Sequence, residues 1–279
     1  MSKTRRALRE APLFIILTAV AVVFVLPILI VLMNSFKGQF YIAAEPFVLP
    51  NATTFSGLQN YINGIKKIDF FKAFGYSLFI TVASVLVILF GTSMTAWYLV
   101  RSKNRLSGFL YYLFVFSMIV PFQMVMFTMS KIANLLYLEN PIGIVLLYLG
   151  FGAGLSVFMF AGFIRGIPLA IEEAAEIDGC TPISMFFYII FPLLRPTAIT
   201  VAVLNAMWIW NDYLLPALVI GNSYRTIPVA VQYLQGGYGS RDMGALMAML
   251  ILAIIPIIVF YAIAQKSIIR GVVAGAVKG

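Results

Sequence analysis

Residues 172–179 read Glu172-Glu173-Ala174-Ala175-Glu176-Ile177-Asp178-Gly179, and a short distance on comes Ile189-Ile190-Phe191-Pro192. This acidic island lies between two apolar runs, about 141–164 and 198–220. Four of the ten acidic residues of the chain fall within seven positions there. Such charge cannot sit in hydrocarbon without a large cost. The flanking runs therefore read as membrane spans and the island as a loop on an aqueous face, held there for a partner.

Composition agrees. The chain is 62% hydrophobic and 10% charged, with a mean hydropathy of +1.00. A soluble domain carries about a quarter charged residues, so the class is an all-α polytopic membrane protein. The net charge of +9 does not point to nucleic acid, because the basic residues flank apolar runs, as topology signals do. With no histidine and a single cysteine, Cys180, no disulfide within the chain can form, and no metal centre is expected. Lys3, Arg5, Arg6 and Arg9 precede an apolar run from Pro12 to Met33. That run is too long for a signal-peptide core and no small-x-small site follows, so it is read as an uncleaved first helix.

A span needs roughly 20 apolar residues. Six segments qualify, at about 12–33, 74–100, 108–130, 141–164, 198–220 and 244–265. With the N-terminus inside, inside segments hold 12 of the 19 lysines and arginines, and Arg101, Lys103 and Arg105 crowd one short loop. Both termini are thus expected in the cytosol, with residues 165–197 inside and residues 34–73 and 221–243 outside. The outer loop 34–73, with Pro46, Pro50, Asn51 and Gly57, is expected to be irregular with one short helix. Residues 1–279 read as a single transmembrane domain.

Within 165–197, Pro168 suits a first helical turn and Gly179 the position after a helix end. Glu172, Glu173 and Glu176 are expected on one face. Thr181-Pro182 reads as an N-cap and first turn opening a second helix through Phe191. Asp178 ends the first helix, where its charge opposes the macrodipole, so a contact outside the helix is expected for it. The same pattern fits a solvated amphipathic loop on the membrane surface.

The string Glu173-Ala174-Ala175, Gly179, Ile189-x-Phe191-Pro192 resembles the EAA loop of binding-protein-dependent ABC importer permeases. Phe191 stands where the family pattern has leucine. Asp178-Gly179-x-Thr181-Pro182, the fifth-span segment Trp210-Asn211-Asp212-Tyr213 with Pro216, and the tail from Gly271 to Gly279 are similar to the carbohydrate-uptake, maltose-type branch. Ser35-Phe36-Lys37 is a weaker match. The resemblance implies a type I ABC importer permease fold in the cytoplasmic (inner) membrane of a prokaryote. It implies a second homologous permease chain, two ATPase subunits that use ATP and Mg, and an extracytoplasmic solute-binding protein. It makes Glu172, Glu173, Ala174, Ala175, Glu176, Asp178, Gly179, Thr181, Pro182 and Pro192 the coupling loop, with the first loop helix seated in an ATPase cleft. It places Gly275 and Lys278 of the tail near the ATPases.

Asp212 is the one ionisable residue inside a span. Asn205 lies seven positions before it, hence on one face, with Trp208 and Asn211 near. Polar groups beside aromatic faces suit a sugar, so these four residues are a candidate substrate pathway. They equally fit an aspartate paired to backbone or partner and tryptophans anchored at the interface. In the outer loop 221–243, Tyr233, Gly236, Gly237, Tyr238 and Gly239 are a candidate binding-protein contact by the resemblance, or an ordinary turn.

No GxxxxGK[ST] phosphate loop is present, so the chain is not expected to hydrolyse ATP or to bind a cofactor itself. Gly150, Gly152 and Gly154 lie inside the fourth span and read as helix packing. A secondary transporter needs titratable relays in the membrane, which one carboxylate and no histidine supply poorly. A passive channel would leave the acidic loop unexplained. A membrane enzyme lacks a Ser/His/Asp set, a metal-ligand cluster and paired intramembrane carboxylates.

Overall fold

The computed structural model describes residues 3–102, 104–221, 223–236 and 241–276, with side chains from 11 to 265. Among the described residues regular structure is helical, and extended pairing is confined to one isolated bridge, Lys37 with Phe55. Helix α1 is Lys3–Asn34, α2 Gln39–Ala44, α3 Gln59–Lys67, α4 Phe70–Arg101, α5 Arg105–Ser117, α6 Phe122–Leu135 and α7 Pro141–Ile164. Then follow α8 Leu169–Ile177, α9 Pro182–Met185, a π-helical turn Phe186–Ile190, α10 Phe191–Leu193, α11 Arg195–Asn211, α12 Leu214–Val219, α13 Ile227–Gln232 and α14 Met243–Ala276.

Among the described residues four segments are long and apolar enough to cross a bilayer: Ala11–Asn34, Phe70–Arg101, Pro141–Ile164 and Met243–Gln265. Two bent pairs raise the number to six if each is one span. The first is α5 with α6, bent by 107°. The third span was expected as one helix over 108–130, and it is instead broken at Met118–Pro121. Pro121 lies in extended conformation at the N-cap of α6, and a proline disfavours helix at the residue before it. The second pair joins Pro182–Leu193 to α11 with a bend of 79°. Pro196 has no N–H for the carbonyl of Pro192, so the ladder fails across that corner. The second loop helix, expected to run regularly through Phe191, widens into the π turn. Pro192 cannot donate to the carbonyl of Tyr188 and its ring crowds it, and the Phe191 N–H bonds Phe186 O instead.

Chain packing divides the protein into two compact units, Met1–Phe71 with Ala230–Pro256, and Lys72–Val229 with Ile257–Gly279. In the first unit α1 stays uncovered: Phe14 is 71% and Phe24 77% exposed. Its apolar stretch is 24 residues, about 36 Å at 1.5 Å per residue, longer than the ~30 Å hydrocarbon core. Lipid or another chain must cover that surface. Segment 34–73 carries two short helices, α2 and α3, where one was expected. Buried side chains hold it together. Asn60 Nδ2 donates to Ser35 O and Lys37 O, both at 2.8 Å. Lys37 is buried and donates to Glu45 O at 2.7 Å, which closes the C-terminus of α2. Asp242 accepts from Lys67 and, at 3.0 Å, from the Ala245 amide at the start of α14. Partial burial raises its carboxyl, but the Lys67 bond, the Ala245 amide and the Lys67 charge outweigh that and hold it below the usual carboxylate value.

The second unit is built round α7. Ile144, Tyr148, Val157, Phe160, Ala161 and Ile164 of that helix are buried, and α5 and α11 pack on it. A Cβ on Gly154 would stand 2.8 Å from Phe114 O and 2.6 Å from Ser117 Oγ. A Cβ on Gly152 would stand 2.7 Å from Ile88 Cδ1 and 2.8 Å from Asn205 Oδ1. Small residues here allow the close approach, as in other membrane helix pairs. Gly150 takes no part in it, since nothing lies within 4 Å of its Cβ position.

Candidate functional site

Pro168 was expected in the first turn of α8 but is instead its N-cap, at φ −59 and ψ 133, outside the helical region, with Leu169 the first helical residue. The helix ends in a glycine turn. Asp178 N bonds Ala174 O at 3.0 Å and Cys180 N bonds Ala175 O at 3.0 Å. Gly179 sits between them at φ +82. A left-handed residue at this position lets the last carbonyls find donors, and glycine takes that conformation without a Cβ penalty. Thr181 then caps α9: its Oγ1 accepts from Ser184 N at 3.2 Å, with Pro182 in the first turn.

The acidic residues do not share one face. Glu173, Ala174, Glu176, Ile177 and Asp178 are exposed, Ile177 to 86%, whereas Glu172 and Ala175 are buried. Glu172 turns inward because a cation is waiting there. Arg101, at the end of α4, places Nε 2.7 Å and Nη2 2.6 Å from Glu172 Oε1. Trp97 Nε1 donates to Glu172 Oε2 at 3.0 Å, and Arg101 Nη2 donates to Ile167 O at 3.0 Å. A buried carboxylate is tolerated when it is paired and hydrogen-bonded in this way.

The second arm of the loop meets the same helix. The Trp97 ring lies 5.8 Å from that of Phe186. Phe90 stacks on Phe191 at 5.0 Å between centroids. Phe90, Trp97 and Arg101 are seven and four positions apart, one stripe of α4. Pro192 follows directly in the arm that this stripe holds. Beside the loop, the Arg165 guanidinium lies 4.8 Å from the centroid of the Tyr111 ring.

In the other candidate region α11 stops at Asn211, and α12 starts at Leu214. Asp212 bridges the break. Its Oδ1 accepts from Leu214 N at 3.0 Å and its Oδ2 from the Tyr148 hydroxyl at 3.0 Å. Trp208 packs edge-on against Tyr148, with centroids 5.4 Å apart, and is 41% exposed. Asn211 is exposed, and its Nδ2 bonds Met207 O at 2.7 Å. Asn205 is set apart from these: it is buried against α7, donating to Ser156 Oγ at 3.2 Å and Val201 O at 2.9 Å. The arrangement leaves the Trp208 ring and Asn211 uncovered by this chain, backed by a carboxylate whose oxygens are both engaged.

Tyr233 lies in a 3-10 turn, Tyr233–Gln235, and Gly236 follows at φ +105. Gly237, Tyr238 and Gly239 lie outside the described residues, as does Lys278. Gly275 is in the last turn of α14. Sequence reasoning missed Trp97, Arg101 and Tyr148. Arg101 was counted as a topology charge, and a buried tyrosine in an apolar helix gives no signal of its partner.

The family described as "Binding-protein-dependent transport system inner membrane component" matches residues 87–273. The chain is 41% identical over 253 residues to the "Probable starch degradation products transport system permease protein AmyC" of Thermoanaerobacterium thermosulfurigenes, covering 90% of this chain and 91% of that protein. It is 34% identical over 273 residues to the "Multiple sugar-binding transport system permease protein MsmG" of Streptococcus mutans, covering 95% and 96%. In fold it is similar to a chain of a bacterial ABC transporter involved in the import of the acidic polysaccharide alginate. There the TM-score is 0.78 at 20% identity, and 95% of this chain and 98% of that chain are covered.

Proposed function

This chain belongs to the binding-protein-dependent transport system inner membrane component family, and from that membership we propose that it is the permease subunit of an ATP-driven importer of a sugar or oligosaccharide. It forms half of a translocation pathway with a second, homologous permease. Two separate ATPase subunits hydrolyse ATP with Mg in the cytosol, and an extracytoplasmic binding protein delivers the solute. The chain crosses a prokaryotic inner membrane with both termini and residues 165–197 in the cytosol. The observation that carries this reading is α8. It is a helix closed by a glycine turn that exposes Glu173, Ala174, Glu176, Ile177 and Asp178 together, an apolar tip ringed by carboxylates, which suits a cleft with basic edges.

Trp208, Asn211 and Asp212 line the sugar path, and Asn205, buried in the seam with α7, stands off it. The outer turn at Tyr233 and Gly236, with Gly237, Tyr238 and Gly239, meets the binding protein. Gly275 and Lys278 of the tail lie near the ATPases. Kinship to permeases named for starch products and for multiple sugars supports carbohydrate as the solute class.

The tagged chain, purified from its native membrane in mild detergent, is expected to bring an ATPase and a second permease with it. Reconstituted with the binding protein, the complex is expected to accumulate the sugar which that protein retains, and only when ATP is supplied on the ATPase side. Solute passage by the chain alone without ATP would replace this reading with a channel or secondary transporter. In the working complex, Trp208→Ala is expected to raise the KM for uptake about fivefold, the worth of one aromatic contact of ~1 kcal/mol. Assembly should be unchanged. An unchanged KM would remove Trp208 from the path.

A further inference from the structure

We infer that Arg101 and Glu172 are positioning residues that fasten the ATPase-facing helix α8 to span α4, so that displacement of α8 reaches the pathway through α4. The inference rests on the proposed ATP-driven reading. Its grounds are geometric. Glu172 is the one acidic residue of the loop that is buried, and both its oxygens are taken by α4: Oε1 by the Arg101 fork and Oε2 by Trp97. The same guanidinium holds Ile167 O, at the lead-in to α8. A planar guanidinium that grips a carboxylate and a carbonyl at once fixes orientation as well as distance. Phe90 and Trp97 of the same α4 stripe clasp the second arm at Phe191 and Phe186.

Both arms of the loop thus meet one stripe of α4, while Arg165 at its start meets Tyr111 of α5. The outward-facing residues of α8 remain free for the ATPase, while the inward-facing one is spent on α4. Packed elements with paired charges move as bodies rather than deforming. Removing the clamp leaves α8 attached only through its chain ends and the apolar seat, and part of its movement is then lost before it reaches α4.

The test uses the whole complex in nanodiscs, in a Cys180→Ser background with Trp208→Cys as a reporter. A charged maleimide reads the reporter with and without ATP plus vanadate, and ATP hydrolysis and ATPase retention are measured beside it. The variants are the isosteric Glu172→Gln, the charge-retaining Arg101→Lys, and the swap of Arg101→Glu with Glu172→Arg. Coupling between sites is typically worth 5–150-fold. Glu172→Gln is expected to keep the ATPases bound and hydrolysing while the ATP-driven change in labelling falls about tenfold. Arg101→Lys should fall less, and the swap should recover part of the change. An undiminished change in Glu172→Gln overturns the inference. So does parallel loss of ATPase binding and hydrolysis in all variants, which would give the pair to folding alone. A complex without these variants that shows no change in labelling, and whose proteoliposomes take up the sugar equally with and without ATP, would instead overturn the ATP-driven reading.

Discussion

Gly179→Asp is expected to lower ATP-driven uptake about 30-fold, with the chain still inserted in the membrane at its normal level. Two costs add. A residue with a Cβ at φ +82 carries about 1 kcal/mol of backbone strain relative to glycine. A new carboxylate at the C-terminal end of α8, beside Glu176 and Asp178, opposes the macrodipole and its neighbours for up to ~1 kcal/mol. Their sum, about 2 kcal/mol, is a factor of about 30. The Cβ itself meets no neighbour, since nothing lies within 4 Å of its position. Insertion should therefore survive, and the loss should fall on the turn that sets the direction of α8, the proposed ATPase contact. Gly179→Ala isolates the strain and should cost about fivefold, from ~1 kcal/mol. Radiolabelled sugar uptake, set against chain level by immunoblot, checks both. Uptake near normal in Gly179→Asp would mean that the turn does not set the coupling geometry.

Much of that turn was legible beforehand. Thr181-Pro182 and the glycine after an acidic helix are local signals, since a cap, a fixed φ and a left-handed residue depend only on neighbours in the chain. The apolar runs were legible for the same reason, being a count along the chain. What local pattern could not supply was the direction of Glu172. Spacing puts it beside Glu173 and Glu176, and only the arrival of Arg101, 71 positions away, decides that it turns inward. The broken third span is intermediate. Pro121 was visible inside 108–130, but hydropathy averages over a break, and a proline in a membrane helix signals a kink, an end or neither until the neighbouring helices are known.

The candidate pathway residues divide along the same line. Asn205 and Asp212 were placed on one face by a seven-residue spacing, which holds only while the helix continues. The helix stops at Asn211. Asp212 consequently turns to the N-terminus of α12, and Asn205 remains in the seam with α7. Gly152 shows why that seam is closed: the position where its Cβ would stand is 2.8 Å from Asn205 Oδ1. A polar residue in a span is thus as much a sign of where a helix is interrupted as of what passes by it.

Asp212→Ala should be the most damaging single change at that interruption. The Tyr148 hydroxyl is in a side chain with 0% exposure, and its acceptor is Asp212 Oδ2. A buried donor left without a partner costs about 1–3 kcal/mol. The Leu214 amide at the start of α12 loses its acceptor too, which is worth about 1 kcal/mol by analogy with a helix N-cap. The expected destabilisation is therefore roughly 2–4 kcal/mol. Asp212→Asn keeps an oxygen for the amide and one polar group for the hydroxyl, and should lose about 1 kcal/mol. Tyr148→Phe removes the orphan donor, so Asp212→Ala placed on Tyr148→Phe should cost less than Asp212→Ala alone, by about 1–2 kcal/mol of pair coupling. Denaturant unfolding of the purified complex in detergent, read as a double-mutant cycle, measures each quantity. Additive losses would show that Tyr148 finds another acceptor when Asp212 is gone. The break between α11 and α12 would then be held by the backbone alone.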